Sequence, residues 1–351
     1  MNSFNLPLFL KVERNLVENI FEIIKEEGIN LQKILLITDK FVYSFIGNKV
    51  LKSFQLKEIS IELEILEENS LSKSLEISKK IIESEISTIL GIGGGKVLDT
   101  AKYVSFISKT PYIGVPTTLA NDGIVSPISV LLMENGKTKS LGAKVPSGII
   151  IDLDVIMDSP IDLIKAGIGD TLSNYTAIED WKLSKLATGE KVDDFSILLS
   201  ELSFNSLFYF NDKNLKNERF IRQLCESIVL SGLAMEIAGV SRPCSGSEHL
   251  FSHAIDLFYP EKKNLHGLQV ALGSIVSAFL QGKNYKKLIL FLKELSINVS
   301  PANLNISLNE FIYAWINGKN TRKGRYTILD ETENLEKKLL EIYNEIEEEF
   351  R

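Results

Sequence analysis

Histidine is almost missing from this chain of 351 residues: there are three, His249, His253 and His266. Cysteine is scarcer still. The two present, Cys225 and Cys244, are too few for a disulfide framework, and Cys225 sits in an apolar stretch that reads as plain core. A surplus of basic charge is also lacking, because 39 Lys and Arg stand against 46 Asp and Glu for a net charge of −7. A nucleic-acid or membrane-surface partner would want a basic face, so neither is expected. A small anionic substrate stays open, since a pocket can differ from the whole. No run reaches the ~18 apolar residues that cross a bilayer. Met1–Lys11 has no long apolar segment behind a basic start, so no signal peptide and a cytoplasmic location are expected. Repeats and low-complexity segments are absent too. What remains is ordinary globular composition, 44% hydrophobic and 24% charged, in a chain long enough for two cores.

The scarce histidines are not scattered. His249 and His253 stand at i and i+4, so on a helix both rings leave one face, and His266 follows closely with Gly267 behind it. Neutral imidazole is the commonest side-chain metal ligand and the usual proton carrier near pH 7. A lone histidine is most often a core or surface residue. Three in so short a stretch of so histidine-poor a chain point instead to an active site between Ser245 and Gly267.

The first half of the chain alternates between element types. Lys33–Thr38 is a nearly continuous apolar run, the mark of a strand buried on both faces, and Asn15–Glu27 before it has helical spacing closed by Gly28. Glu58–Ile65 predicts a second strand, Ser70–Glu83 a helix, Ser87–Leu90 a third strand and Val97–Ile107 a helix. Tyr112–Val115 and Ile149–Ile151 predict further strands, with a hairpin around Glu134–Gly136–Lys137. Such alternation implies a parallel sheet covered by helices. After Pro160 the texture is helical throughout: Ile161–Leu186, Phe195–Phe210, Glu218–Gly239, Glu248–Phe258, Leu268–Leu280 and a glutamate-rich tail from Leu335. We therefore expect an α/β domain over 1–159 and an all-helical domain over 160–351.

Gly91-Ile92-Gly93-Gly94-Gly95-Lys96 lies between a predicted strand and a predicted helix. Glycines let backbone N–H groups turn toward a ligand, and a helix N-terminus favours negative charge, so the turn suits a pyrophosphate. It matches neither G-x-G-x-x-G nor a P-loop, which would need Ser or Thr where Val97 stands, and a tight corner is the plain alternative. Asp39, just past the first buried strand, stands where an α/β nucleotide site presents a carboxylate to the adenosine ribose, or where a helix N-cap would be. Thr117, Thr118 and Asp122 occupy the loop after the Tyr112–Val115 strand, where open sheets bind ligands, although Asn121-Asp122-Gly123 is also a good turn. Asp170, behind Gly167 and Gly169, offers a carboxylate to a two-histidine metal site or caps a helix that starts there.

Together these segments resemble one family. Gly93 to Lys102, Val115-Pro116-Thr117-Thr118, Gly167-Ile168-Gly169-Asp170 and the histidine segment are similar to the iron-containing (group III) alcohol dehydrogenases and dehydroquinate synthase-like proteins, over roughly Leu31 to Gly273. Thr38-Asp39-Lys40-Phe41-Val42 resembles the glycerol dehydrogenase branch. Asn121 to Pro127, Thr176 to Leu183 and Ser241 to Ala254 resemble the sn-glycerol-1-phosphate dehydrogenase branch, and Asp256-Leu257 replaces the Asn-Gly usual in glycerol dehydrogenases. The chain departs from the phosphate branch at Asn121, where histidine is common.

The resemblance implies a Rossmann-like α/β domain followed by an all-α domain. It implies Asp170, His249 and His266 as ligands of one divalent ion, zinc ahead of iron or nickel, with Asp122, Asp170 and His253 facing the substrate. Asp122 and His253 would be catalytic, the latter relaying the alcohol proton. Gly93, Gly94, Gly95, Lys96, Val97, Leu98 and Asp99, then Thr117, Thr118, Leu119, Ala120 and Ser126, would contact NAD(H), with Asp39 on the ribose. Arg242, just ahead of Pro243 and a Ser-Gly-Ser turn, would meet a substrate phosphate, its alternative being an ion pair with a surface carboxylate. The expected reaction is metal-dependent hydride exchange between dihydroxyacetone phosphate and sn-glycerol 1-phosphate, or between dihydroxyacetone and glycerol. Dehydroquinate synthase chemistry needs a set of lysines and arginines around a polyanionic ring, and no such set is visible. A homo-oligomer is expected.

Overall fold

The computed structural model describes residues 6–55 and 59–351. Glu58, at the start of an expected strand, and the first five residues lie outside the described residues. The chain forms two compact units, one of residues 1–119 and 123–160 and one of residues 120–122 and 161–351.

The first unit is built on a six-stranded sheet in the order β1-β8-β5-β4-β2-β3, all neighbours parallel. Its strands are β1 (Phe9–Glu13), β2 (Lys33–Thr38), β3 (Ser60–Ile65), β4 (Thr88–Gly93), β5 (Tyr112–Pro116) and β8 (Gly148–Asp152). The inner strands are unbroken apolar runs because helices cover both faces, and β4, β5 and β8 are buried at every position. β3, at one edge, keeps a polar alternation instead. β1, at the other edge, was not anticipated, because five residues (Phe-Leu-Lys-Val-Glu) carry too little periodicity to separate a strand from a loop. β6 (Ile128–Leu132) and β7 (Thr138–Gly142) form the expected hairpin around Gly136.

Parallel order brings the C-terminal ends of β2, β4 and β5 side by side. Thr38 is in register with Ile92 and Gly93 with Pro116, so Asp39, the glycine turn and the Thr117 loop share one sheet edge. Lys102, wholly buried, anchors the chain beyond that loop. Its ammonium donates to Gly123 O (2.7 Å), Ser126 O (3.3 Å) and Ile128 O (2.6 Å) and pairs with Asp99 at 3.0 Å. A buried cation needs such saturation to be tolerated.

The second unit is helical. The stretch Ile161–Leu186 is two helices, Ile161–Leu172 and Asn174–Thr188, interrupted at Ser173. The Ser173 hydroxyl reaches Cys244 O and Asp170 O, pinning the break in place. Helices at Asp194–Phe208, Glu218–Ala238, Ser247–Phe258, His266–Leu280 and Leu335–Glu349 follow the sequence reading, while Lys286–Glu294 and Leu308–Asn317 were not singled out. Trp315 stacks on Phe251 at 4.9 Å and both are wholly buried. Among the described residues, no helix is long and apolar enough to cross a membrane.

Two helices cross backbone against backbone at Gly169 and Gly267, with the Ala271 methyl alongside. A Cβ on Gly169 would overlap Gly267 O, and one on Gly267 would overlap Ala166 O. Asp170 therefore lies inside a helix rather than at its start, which corrects the N-cap alternative. Its neighbouring glycines serve the crossing with the His266 helix.

Candidate functional site

In the second unit, Asp170, His249 and His266 each offer a ligand atom, all within 4.8 Å of one another. His249 Nε2 lies 3.6 Å and His266 Nε2 3.7 Å from Asp170 Oδ1. The outer faces of both rings are fixed. Glu248 Oε1 sits 3.0 Å from His249 Nδ1, and a carboxylate accepts, so Nδ1 carries the proton. Ser252 Oγ sits 3.0 Å from His266 Nδ1 and donates its own proton to Gln269 Oε1 at 2.7 Å, so Nδ1 is the donor there as well. In their neutral forms both imidazoles thus aim an Nε2 lone pair toward Asp170 Oδ1, a buried oxygen with no hydrogen-bond partner among the described residues. Three lone-pair donors converging on one point, each held from behind, fit a divalent cation with positions left for a ligand.

The electrostatics follow from burial and proximity. Burial raises the Asp170 carboxyl, but His249, His266 and the Asp122 N–H more than offset it and hold it below the usual carboxylate range. Burial lowers His249, yet its partners Asp170 and Glu248 raise it to about 9. In the absence of a cation its Nε2 therefore also carries a proton, which a bound cation would displace to expose the lone pair. His266 is pushed down to about 4 by burial and then by His249. His253 is held well below its ordinary value by burial, then by His266, His249, Arg322 and Arg325.

His253 lies on the His249 helix with ring centroids 6.3 Å apart, and 6.1 Å from His266, beside the donor set rather than in it. The Asp122 N–H donates to Asp170 Oδ2 at 3.0 Å, which ties that short segment to the cation donors.

Glu248 was not singled out in the sequence. It is wholly buried, accepting from Gly246 N (2.5 Å) and Thr176 Oγ1 (2.9 Å) as well as His249. The only sequence signal was an acid directly before a candidate ligand. Arg242 takes another place than expected. Its guanidinium holds Glu190 Oε1 at 2.9 Å and Oε2 at 2.5 Å, Tyr326 O at 2.8 Å and Ser184 Oγ at 3.2 Å. Every nitrogen is engaged, so the ion-pair alternative describes it. Conversely, a basic set does stand near the histidines. Arg322 and Arg325 reach Ser241 and Ser245 from about 80 residues downstream.

In the first unit, the helix Gly95–Ser108 begins at Gly94, which provides no side-chain cap. Gly94 and Gly95 are partly exposed, Lys96 is exposed, and the Gly95 and Lys96 N–H groups have no partner among the described residues. Gly93 is needed for packing, since a Cβ there would stand 2.7 Å from the Val97 side chain. Exposed N–H groups at the start of a four-turn helix fit a pyrophosphate. Asp39 Oδ1 caps the next helical turn through Val42 N (2.9 Å), as its N-cap reading has it, while Oδ2 has no partner among the described residues. Val97, Leu98 and Leu119 are core; Thr117 is buried, with its N–H on Gly93 O (3.0 Å), and Thr118 and Ala120 are partly exposed. Asp99 accepts from Val130 N (3.1 Å) and pairs with Lys102, and Ser126 is buried beside the same lysine.

A glycine turn with unpartnered N–H groups at the end of a parallel sheet, and three convergent donors among helices that could hold a cation, fit the metal-dependent dehydrogenase class. Residues 11–160 match the iron-containing alcohol dehydrogenase family. The chain is 36% identical over 330 residues to a glycerol-1-phosphate dehydrogenase (NAD(P)+) of Sulfurisphaera tokodaii, covering 93% of this chain and 92% of the relative. It is 35% identical over 307 residues to the enzyme of the same name from Nitrosopumilus maritimus, covering 88% and 86%. In fold it is similar to a glycerol dehydrogenase of Schizosaccharomyces pombe, with a TM-score of 0.80 over 99% of this chain and 92% of that one, at 19% identity. The chain belongs to the glycerol-1-phosphate dehydrogenase family of iron-containing alcohol dehydrogenases.

Proposed function

We propose that this protein interconverts dihydroxyacetone phosphate and sn-glycerol 1-phosphate, using NAD(H) and a divalent cation, with zinc ahead of iron or nickel. The observation that carries the reading is the pinned donor set of Asp170, His249 and His266 in a chain more than one third identical to glycerol-1-phosphate dehydrogenases. When bound, the cation supplies Lewis-acid polarisation and the nicotinamide supplies hydride exchange.

The chain's own residues do the rest. Glu248 and the Ser252–Gln269 pair fix the tautomers of His249 and His266, so both present Nε2 without reorganisation. His253, held neutral by burial and its cationic neighbours, carries the proton exchanged at the substrate hydroxyl. The Gly95 and Lys96 N–H groups hold the cofactor's pyrophosphate. Asp122 keeps its segment against Asp170 and orients the substrate hydroxyls. A cytoplasmic, homo-oligomeric enzyme accords with this reading.

The test is a comparison of NADH oxidation with dihydroxyacetone phosphate and with free dihydroxyacetone. We expect kcat/KM to favour the phosphorylated ketone by at least ~10²-fold, the scale of a few charge-assisted hydrogen bonds acting together. A preference for the free ketone would move the protein to glycerol oxidation while leaving the cation site intact.

Asp39 makes the cofactor choice testable separately. Its free Oδ2 suits ribose hydroxyls and opposes a 2′-phosphate, a like-charge contact costing on the order of 1–3 kcal/mol. NADH should therefore be preferred over NADPH by roughly 10- to 100-fold, and Asp39→Gly should narrow the gap. Equal wild-type kcat/KM for the two cofactors would remove that role from Asp39.

A further inference from the structure

Two guanidinium groups meet on one serine beside the histidines, with no carboxylate between them among the described residues. Arg322 Nη1 donates to Ser241 Oγ at 3.0 Å, and Arg325 Nη2 donates to the same oxygen at 2.8 Å. Arg325 Nη1 also donates to Ser245 Oγ at 2.9 Å and to the Ser245 carbonyl. Neither arginine forms an ion pair among the described residues, and both are partly buried. The carboxylates nearby are already committed: Glu190 holds Arg242, and Glu248 holds Gly246 N, Thr176 and His249.

Converging cations without a counter-ion are unfavourable. Burial, then Arg322 and Arg242, push Arg325 down to about 9. The surrounding groups do not relieve this, because the Ser241 and Ser245 hydroxyls and the Ser245 carbonyl accept hydrogen bonds but bring no negative charge. Ser241 Oγ accepts from two arginines, so its lone pairs are taken and its O–H must point to something else. A cluster of donors with no acceptor left over suits an acceptor-only dianion, and paired guanidinium forks match phosphate oxygens.

Position supports a substrate rather than a remote effector. Ser245 directly precedes Gly246, which caps the helix Ser247–Phe258, and His249 lies in that helix's first turn. Both arginines depress His253, so their field reaches the group assigned to proton transfer.

We infer that Arg322 and Arg325, with the Ser241 hydroxyl, form the subsite that grips the substrate's phosphate. This rests on the reading of the substrate as a polyol phosphate, and it gives that task to residues other than Arg242.

The experiment compares cation-loaded wild type with Arg322→Ala, Arg325→Ala and Lys323→Ala, an exposed neighbour as control. Each is assayed with dihydroxyacetone phosphate and dihydroxyacetone, and for inhibition by inorganic phosphate. Either arginine variant should lose at least ~10-fold in kcat/KM for the phosphorylated ketone, with free dihydroxyacetone changed by less than about 3-fold. Inhibition by inorganic phosphate should weaken in parallel, and Lys323→Ala should match wild type. Arg322 has a single hydrogen bond among the described residues, so Arg322→Ala decides the matter if Arg325→Ala fails to fold. Intact preference in both arginine variants, equal losses on the two ketones, or an equal loss in Lys323→Ala would overturn the subsite alone. A wild type with no preference would overturn the polyol-phosphate reading and the subsite with it.

Discussion

Asp170→Ala protein should emerge from purification nearly free of cation and inactive, while remaining folded. Asp170 supplies the only anionic donor among the three, and its Oδ1 is the point toward which both Nε2 atoms aim. Two neutral imidazoles rarely hold a catalytic divalent ion, so affinity should fall by well over ~10²-fold, more than the loss of an outer partner costs. His266→Ala should behave alike. Elemental analysis after dialysis, and titration of the cation-free protein by calorimetry, measure this directly. Full cation content with full activity in either variant would refute the ligand assignment. Folding is not expected to depend on the carboxylate, because among the described residues Asp170 Oδ1 makes no hydrogen bond and Oδ2 takes only the Asp122 N–H.

His253→Ala should give the opposite pattern: cation retained, turnover lost. The ring stands about 6 Å from both ligand imidazoles, too far to share their ion yet on the same face. Removing a positioned proton-transfer group costs ~10²- to 10⁴-fold in kcat, so a fall of at least ~10²-fold is expected with KM little changed. Cation loss in this variant would place His253 among the ligands instead. Wild-type turnover would leave proton transfer to Asp122 or solvent.

The two results test what was legible in the residues. Periodicity located β2 to the residue, since a strand buried on both faces leaves a run that nothing interrupts. Clustering pointed to the segment that supplies two of the three convergent donors, since three histidines in so histidine-poor a chain are conspicuous. Longer-range geometry was not legible. Nothing near Arg242 in sequence shows that Glu190 closes on its guanidinium, so its position before Pro243 suggested a free donor. Nothing near the histidines shows that a turn about 80 residues on brings Arg325 to Ser245. Glu248 was adjacent to a ligand and still silent, because an acid beside a histidine is common and only burial reveals what it holds. Ser173 interrupts a helical pattern without glycine or proline, so the break could not be read from propensity.

The close crossing of the Asp170 and His266 helices has a consequence for which ions these donors could accept. Where side chains separate two helices, drift in sequence thickens or thins the spacer, and a chelating pair can be retuned by ordinary mutation. Here carbonyl oxygen meets glycine, so the gap is already at its minimum and any side chain placed at Gly169 or Gly267 would wedge the helices apart. Two of the three jaws are therefore rigid, and only His249, carried on a third helix and backed by Glu248, is free to be reset. A lineage adapting to a larger or smaller cation would have to do so through that one arm, and its genetic trace should gather around residues 245 to 249 while the crossing stays fixed.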